Sequence, residues 1–389
     1  MPLQRCSLAG LYLHIPFCKQ ACYYCDFHFS TNQDLRTEMV HAMLRELELQ
    51  QQYLSGEALA TIYLGGGTPS LLNDTELQLM LKGASQFFPV MADAEVTAEV
   101  NPDDLTPAKL NQLRHTGINR LSVGIQSFSN EALQFFNRAH TAEQSTTCMA
   151  EARLAGFNNI SIDLIYGVPG QTHDQWRANI AKALLMEPEH ISAYALTIEE
   201  NTVFGRWHAK KKITAMPEEL VAEQFEILMD ELSKAGYEHY EISNFAKPGF
   251  YSKHNSSYWQ QKKYLGIGPS AHSYNGTSRQ FNIRNNALYI KSIHQGVVPF
   301  EREELTPANR INEYLLTTLR TQWGADLNAL ANDLHFVPSK EQSSYIDSLV
   351  TRGLARLEGN CLRLTRKGKL VADKIASDLF VSDDYSQNG

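Results

Sequence analysis

The sequence predicts an α/β protein: a partial, open (β/α)6 barrel of TIM-like kind, followed by a C-terminal helical, winged-helix-like domain. Three observations carry this. Short apolar runs alternate with amphipathic helical stretches six times before residue 235, and such alternation means parallel strands joined by right-handed crossovers. The residues of unusual chemistry fall where those strands end, as at a barrel mouth or a sheet crevice. A doubly wound sheet fits the same alternation, but six units rather than eight suggest an open barrel. Past Gly236 the texture changes to an aromatic, glycine-rich stretch and then to helices.

In chain order, residues 11–15 form an apolar run. Pro16 ends it, because proline has no backbone donor, so Cys18, Cys22 and Cys25 stand on a loop leaving a strand. Across 31–53, Leu35, Met39, Met43 and Leu47 recur at helical spacing. A strand at 61–65 runs straight into Gly65-Gly66-Gly67-Thr68. Asn73 or Asp74 caps a helix reaching to about Phe88. A strand at 95–100 closes on Glu99-Val-Asn-Pro-Asp, and Thr106-Pro107 opens a helix with proline in its first turn. A strand at 119–125 ends beside Gln126, and helices start near Asn130 and Ala142. The strand at 159–165 carries Asp163. A helix at 172–186, a strand at 190–196 and a long helix at 217–235 complete the six units. Because both faces of such a sheet are covered, the strands should be buried on both sides. Helices at 309–321, 326–334 and 341–352 and a hairpin at 355–365 with a Gly-Asn turn give the winged-helix pattern. The expected divisions are a barrel over 1–235, an extension over 236–305, a C-terminal domain over 306–381 and a disordered tail over 382–389.

The chain has 389 residues, 43% hydrophobic and 20% charged, enough for a large core. A net charge of −8 argues against a nucleic-acid partner and against attraction to anionic lipid. The C-terminal module mixes basic residues with acids, so it reads as a structural cover rather than a DNA reader. No apolar run approaches the ~18 residues of a membrane span, and the stretch before the first strand is too short for a signal peptide. Of six cysteines, three are clustered and Cys6, Cys148 and Cys361 are scattered. That is the usage of a reducing cytoplasm, in which Cys148 and Cys361 pack as small apolar side chains.

The clustered cysteines have C-x3-C-x2-C spacing. Thiolates crowded on one loop repel unless a cation or a cluster binds them. Three is one short of the set that closes a structural zinc site or a common iron–sulfur site, so a metal held here keeps an open position. From spacing alone, half a zinc site is an alternative.

The stretch Tyr12-Leu-His-Ile-Pro-Phe-Cys18-x3-Cys22-Tyr-Tyr-Cys25 resembles the cysteine motif of the radical SAM (S-adenosylmethionine) superfamily. More narrowly it resembles the HemN-like branch, which includes oxygen-independent coproporphyrinogen III oxidase. The resemblance implies that the three cysteines hold a [4Fe–4S] cluster whose fourth iron is chelated by SAM. One electron then cleaves SAM to a 5′-deoxyadenosyl radical. It places Tyr12 and Tyr24 among the SAM-site residues, Tyr24 by the adenine. It sets Gly66, Gly67 and Thr68 beside the methionyl group, where glycine lets backbone approach closely. It makes Glu99 and Gln126 polar contacts to SAM, and Arg138 and Asp163 contacts to its carboxylate and ribose.

Two departures matter. The oxidases carry a further cysteine two positions after the third; here that position is Phe27, with Asp26 between. They also carry a long N-terminal segment, whereas 17 residues precede Cys18. Both features resemble the HemW subgroup, described as haem chaperones, as does His254-Asn255-x-x-Tyr258-Trp259, which is similar to that subgroup's haem-binding motif. A neutral imidazole is a good axial ligand to haem iron, the aromatic rings offer flat faces to a porphyrin, and Lys253 suits a propionate. Apart from the resemblance, the same residues read as a buried His–aromatic cluster in a loop over the mouth. His14 is expected to pack under the cluster, and His272 is a second histidine near the mouth. The resemblance therefore implies a cytoplasmic protein that binds a [4Fe–4S] cluster, SAM and haem, and passes haem to a recipient haem protein without oxidase activity. Peripheral membrane association through a partner stays open. The alternatives are radical decarboxylation of coproporphyrinogen III propionates or another radical reaction on a tetrapyrrole.

Overall fold

In the computed structural model, residues 8–382 are described. Cys6 and the tail beyond 382 lie outside them. Six parallel strands follow one another in both sequence and space: β1 (Leu8–Ile15), β2 (Ala58–Gly66), β3 (Val90–Val100), β4 (Arg120–Gln126), β5 (Ile160–Tyr166) and β6 (His190–Ala195). The crossover helices begin with the caps the sequence advertises. Asn73 with Glu76 and Thr172 with Gln175 make reciprocal capping boxes, each satisfying two backbone donors at a helix start.

The sheet does not stop at six strands. After β7 (Glu238–Glu241) and β8 (Asn244–Ala246), which run antiparallel beside β6, the chain crosses back to the other edge. There β9 (Tyr264–Ile267) pairs parallel to β1, and β10 (His272–Tyr274), β11 (Ser278–Asn282) and β12 (Phe300–Glu304) continue antiparallel. The aromatic extension thus completes a twelve-stranded sheet. Its ends, β12 and β7, do not pair, and the barrel stays open.

The strands are buried on both faces, but the two faces differ. Leu11, Leu13 and Ile15 of β1, and Ile62 and Leu64 of β2, pack outward under the helices in the main core. The other face is polar: Thr61, Glu95, Thr97, Arg120, Ser122, Ser161, His190 and Ser192 are all buried there. A period of two divides each strand into an apolar side for the core and a polar side for the concave interior.

The C-terminal part has its own apolar cluster, with Ile311, Leu315, Leu330 and Leu349 at its centre. Its three-stranded sheet has the order β13 (Ala325–Asp326), β15 (Cys361–Leu364), β14 (Ala355–Glu358), with Gly359-Asn360 at the hairpin turn. It docks on the barrel through Arg320 to Glu241 at 3.1 Å, Lys369 to the His239 carbonyl at 2.9 Å, and Arg366 to Asp230. Cys148 is buried as expected, whereas Cys361 is half-buried and donates to the Trp323 carbonyl at 2.8 Å. Among the described residues no helix is long and apolar enough to cross a membrane.

One buried acid ties the extension to the barrel. Glu46, on the helix Arg36–Leu49, is fully buried and accepts from Gly268 N at 2.8 Å, Asn282 Nδ2 at 2.6 Å and the Tyr289 hydroxyl. Burial outweighs these donors and pushes its carboxyl up to about 7 from 4.5. The native state then holds this proton more tightly than the unfolded chain. The group's contribution is complete below about 4.5 and is lost as pH rises through about 7. Urea titrations should show wild-type stability falling across that window relative to Glu46→Gln. Glu46→Ala, which strands three donors, should lose about 2 kcal/mol or more.

Candidate functional site

The polar interior ends at a cavity of about 610 Å³ where β1 to β6 terminate. Its rim begins with the cysteine loop. Phe17 and Ser30 bridge at the loop's stem, with Cys18 N to Ser30 O at 3.0 Å and Ser30 N to Pro16 O at 2.9 Å. Two tyrosines pin the loop from the side. Tyr23 N donates to Phe136 O at 3.0 Å, its ring meets Trp207 edge-on at 5.1 Å, and Tyr24 packs on Phe136 at 5.4 Å. Asn137 Nδ2 donates to Ala21 O at 2.8 Å.

The glycine run at the end of β2 seats this loop. Gly67 N donates to Ile15 O at 2.9 Å and Thr68 N to Phe17 O at 2.7 Å. A Cβ on Gly67 would stand 2.5 Å from Phe17 O and 2.7 Å from Ile15 O. Gly66 has φ +98°, and a Cβ there would strike the His14 ring. Glycine is required here for close backbone approach and for a left-handed conformation.

All three cysteines line the cavity, half-buried and free. Burial pushes the Cys18 thiol up to about 11 and the Cys25 thiol up to about 12. Unliganded, they are protonated at neutral pH, and a metal must displace those protons. Arg138 Nη1 donates to Cys22 Sγ at 3.4 Å. Among the described residues no three His, Cys, Asp or Glu side chains are gathered tightly enough to hold a single metal ion. Three thiols on one loop, one ligand short of a closed zinc site, fit an iron–sulfur cluster that keeps one iron open to a further ligand.

Tyr24, Gly66, Gly67, Thr68, Glu99, Gln126, Arg138 and Asp163 line the same cavity as the cysteines. Glu99 accepts from Tyr63 OH at 2.9 Å and Gly66 N at 3.2 Å. Burial pushes the Glu99 carboxyl up to about 7 and that of Asp163 up to about 6. Gln126 ends β4 with φ +63°, and Arg138 Nη2 holds Asn101 Oδ1 at 2.6 Å and Gly124 O at 2.7 Å. The residues that the sequence reading passed over are Tyr63, Asn101, Arg120, Ser122 and Ser192, which also line the cavity. Their signal was a polar residue at every second position of otherwise apolar strands.

The remaining expected residues are divided. Tyr12 does not line this cavity; it faces a second one, and its hydroxyl lies 3.1 Å from His14 Nδ1. Residues Lys253–Trp259 form a short helix rather than a loop, capped by Ser252. That helix closes the barrel interior from below, at the starts of the strands. His254 is buried, with Nδ1 2.7 Å from Thr61 Oγ1 and Nε2 2.7 Å from Tyr258 OH. Glu95, 4.0 Å from Arg120, accepts the backbone N–H of Lys253 and of His254 at 3.2 and 3.1 Å. Burial, then Arg120, pushes the His254 imidazole down to about 3, so it is neutral. Asn255 reaches the cysteine cavity, Tyr258 and Trp259 the second one. Lys253 is exposed, 4.0 Å from Asp93. His14 is buried at the base of the cysteine loop, its Nε2 2.9 Å from His28 O.

Comparison with known proteins agrees with this geometry. Residues 12–183 match the family model of the Radical SAM superfamily, and 305–371 that of the HemN C-terminal domain. The chain is 35% identical to a Bacillus subtilis protein named heme chaperone HemW, over 95% of this chain and 98% of that one. A protein of the same name from Lactococcus lactis is 33% identical over 96% and 97%. The Escherichia coli one is 37% identical over 68% of this chain and 69% of its own. In fold, the solved coproporphyrinogen III oxidase HemN from Escherichia coli superposes with a TM-score of 0.83 at 23% identity, covering 96% of this chain and 90% of that one. By these matches the chain belongs to the HemW branch of the radical SAM superfamily, membership of which implies a [4Fe–4S] cluster and SAM.

Proposed function

We propose that this protein is a cytoplasmic haem chaperone that binds a [4Fe–4S] cluster, SAM and haem, and hands haem to a recipient haem protein. The observation that carries this reading is near full-length similarity to proteins named heme chaperone HemW. The likeness to the solved oxidase is one of fold alone. In this reading the chain divides into a barrel over 1–235, an extension over 236–305 and a C-terminal cover over 306–381.

Cys18, Cys22 and Cys25 hold the cluster, and Arg138 offsets thiolate charge at Cys22. When bound, the cluster and SAM supply one-electron chemistry. The chain's own residues bind and orient. Gly66 and Gly67 let backbone lie against the methionyl group, with Thr68 beside it. Glu99 and Asp163 are two carboxyls whose ionised forms are penalised by burial. SAM brings a sulfonium and an ammonium, cations that favour those ionised forms. Gln126 and Asn101 add neutral polar contacts, while Tyr24 and the ring cluster behind it exclude water from the loop.

Two measurements test this reading. Anaerobically reconstituted protein should show the brown absorbance of an iron–sulfur cluster, and replacing Cys18, Cys22 and Cys25 by Ala should abolish both colour and bound iron; full iron retention would remove the cluster assignment. Offered coproporphyrinogen III, SAM and reductant together, the reconstituted protein should leave the porphyrinogen unconverted. Protoporphyrinogen formation would replace the chaperone reading with an oxidase.

A further inference from the structure

A second cavity, of about 590 Å³, lies across the cysteine loop from the first. It is bounded by β1, by the sheet extension β9 to β11, and by the C-terminal helix Pro307–Leu319, which contributes Glu313 and Leu316. Nothing in the cluster or SAM assignment uses it. We propose that this cavity is where the haem plane lies, with His272 as the axial ligand. The inference rests on the haem reading above and assigns the cargo a place.

The lining matches what a metalloporphyrin asks of a protein. The volume falls within the roughly 300–1,000 Å³ of cavities that enclose small ligands. Its walls are flat rings: Tyr258, Trp259, Tyr264 and Tyr274. Tyr258 and Tyr264 meet edge-to-face at 4.6 Å, and the tilted rings of Tyr264 and Tyr274 lie 6.3 Å apart, so the aromatic wall is continuous. Trp259 Nε1 and Arg279 Nε are buried without a hydrogen-bond partner, donors that nothing described in the chain satisfies.

Three imidazoles line the cavity, and their bonding separates them. His14 has both ring nitrogens engaged, by the Tyr12 hydroxyl at 3.1 Å and the His28 carbonyl at 2.9 Å. His28 Nε2 is taken by Asn286 Oδ1 at 2.7 Å. His272 is exposed, and its ring makes an edge contact with Phe281 at 4.7 Å but no hydrogen bond among the described residues. Partial burial of the ring, then Arg279, lowers its proton affinity, which favours the neutral form that ligates iron. His254 cannot serve without breaking the bonds to Thr61 and Tyr258. In this arrangement the His-Asn-x-x-Tyr-Trp motif supplies the porphyrin wall through its last two residues, while its histidine is the latch that fixes the helix.

The cavity also carries the charges a propionate needs. Arg279 pairs with Glu313 at 2.9 Å, and Arg284 is 55% exposed, 3.8 Å from Asp26 Oδ1. Arg284, which donates one Nη2–H to the Asp26 carbonyl, is the more exposed guanidinium, and its remaining donors suit a carboxylate at the rim.

Ferric haem titrated into the full chain tests the proposal by Soret absorbance and EPR. The wild type should bind with a histidine-ligated spectrum. His272→Ala, an exposed change that leaves thermal unfolding unaltered, should shift the Soret band and weaken binding about tenfold or more. Arg284→Gln should weaken binding of haem but not of haem dimethyl ester, which has no propionate charge. His254→Gln, if its melting temperature is kept, should leave the Soret position unchanged. A wild-type spectrum from His272→Ala, or a shifted one from folded His254→Gln, overturns the site while leaving haem as the cargo. Failure of the wild type to bind haem overturns the chaperone reading itself.

Discussion

The contact on which the rest depends is backbone on backbone: the end of β2 laid against the end of β1. Gly67 and Thr68 donate to the carbonyls of Ile15 and Phe17, closer than any side chain at position 67 permits. This junction aligns the two strands whose ends define the cavity and fixes where the cysteine loop departs. It also turns the Gly66 amide toward Glu99, so that one acid on β3 is oriented by the same turn. A single residue larger than glycine would separate the loop from the sheet and the acid from both.

Much of this architecture is legible in the sequence because two periodicities are superposed. The 3.6-residue spacing of Leu35, Met39 and Met43 and the strand-end punctuation at Pro16, Gly65 and Asn101-Pro102 mark the six units. Strand ends meet in space, so Glu99 and Gln126 could be singled out without coordinates, whereas Asp163, expected at a strand end, stands in the middle of β5. Residues inside the strands were harder to read. Tyr63, Arg120 and Ser122 look like interruptions of apolar runs until the period of two shows that they share a face. Tyr12 obeys that period, yet it lines the second cavity, while Tyr63, whose ring is 6.1 Å away, lines the first. The Lys253–Trp259 helix is only seven residues long, too short for a periodic signal. Its position comes from distant partners, Glu95 at its first amides and Thr61 at its histidine. No local pattern encodes those.

The polar interior has an electrostatic logic. Below, Arg120 and Glu95 are buried together and the acid caps the Lys253–Trp259 helix, while Arg120 Nε keeps no hydrogen-bond partner among the described residues. Above, Glu99 and Asp163 face the cavity with burial opposing their charge, an opposition that a cation bound there would relieve. The same strands therefore build a packed base and an open top. Buried polar groups that are satisfied rigidify a core, and those that are not mark where something binds.

Asp26 and Phe27 line both cavities, Phe27 with 71% of its surface exposed. In the proposed arrangement the cluster side and the haem side share these two residues as a common wall, so an ordering of that wall by either occupant is felt by the other, to the same extent in both directions and with no moving domain between them.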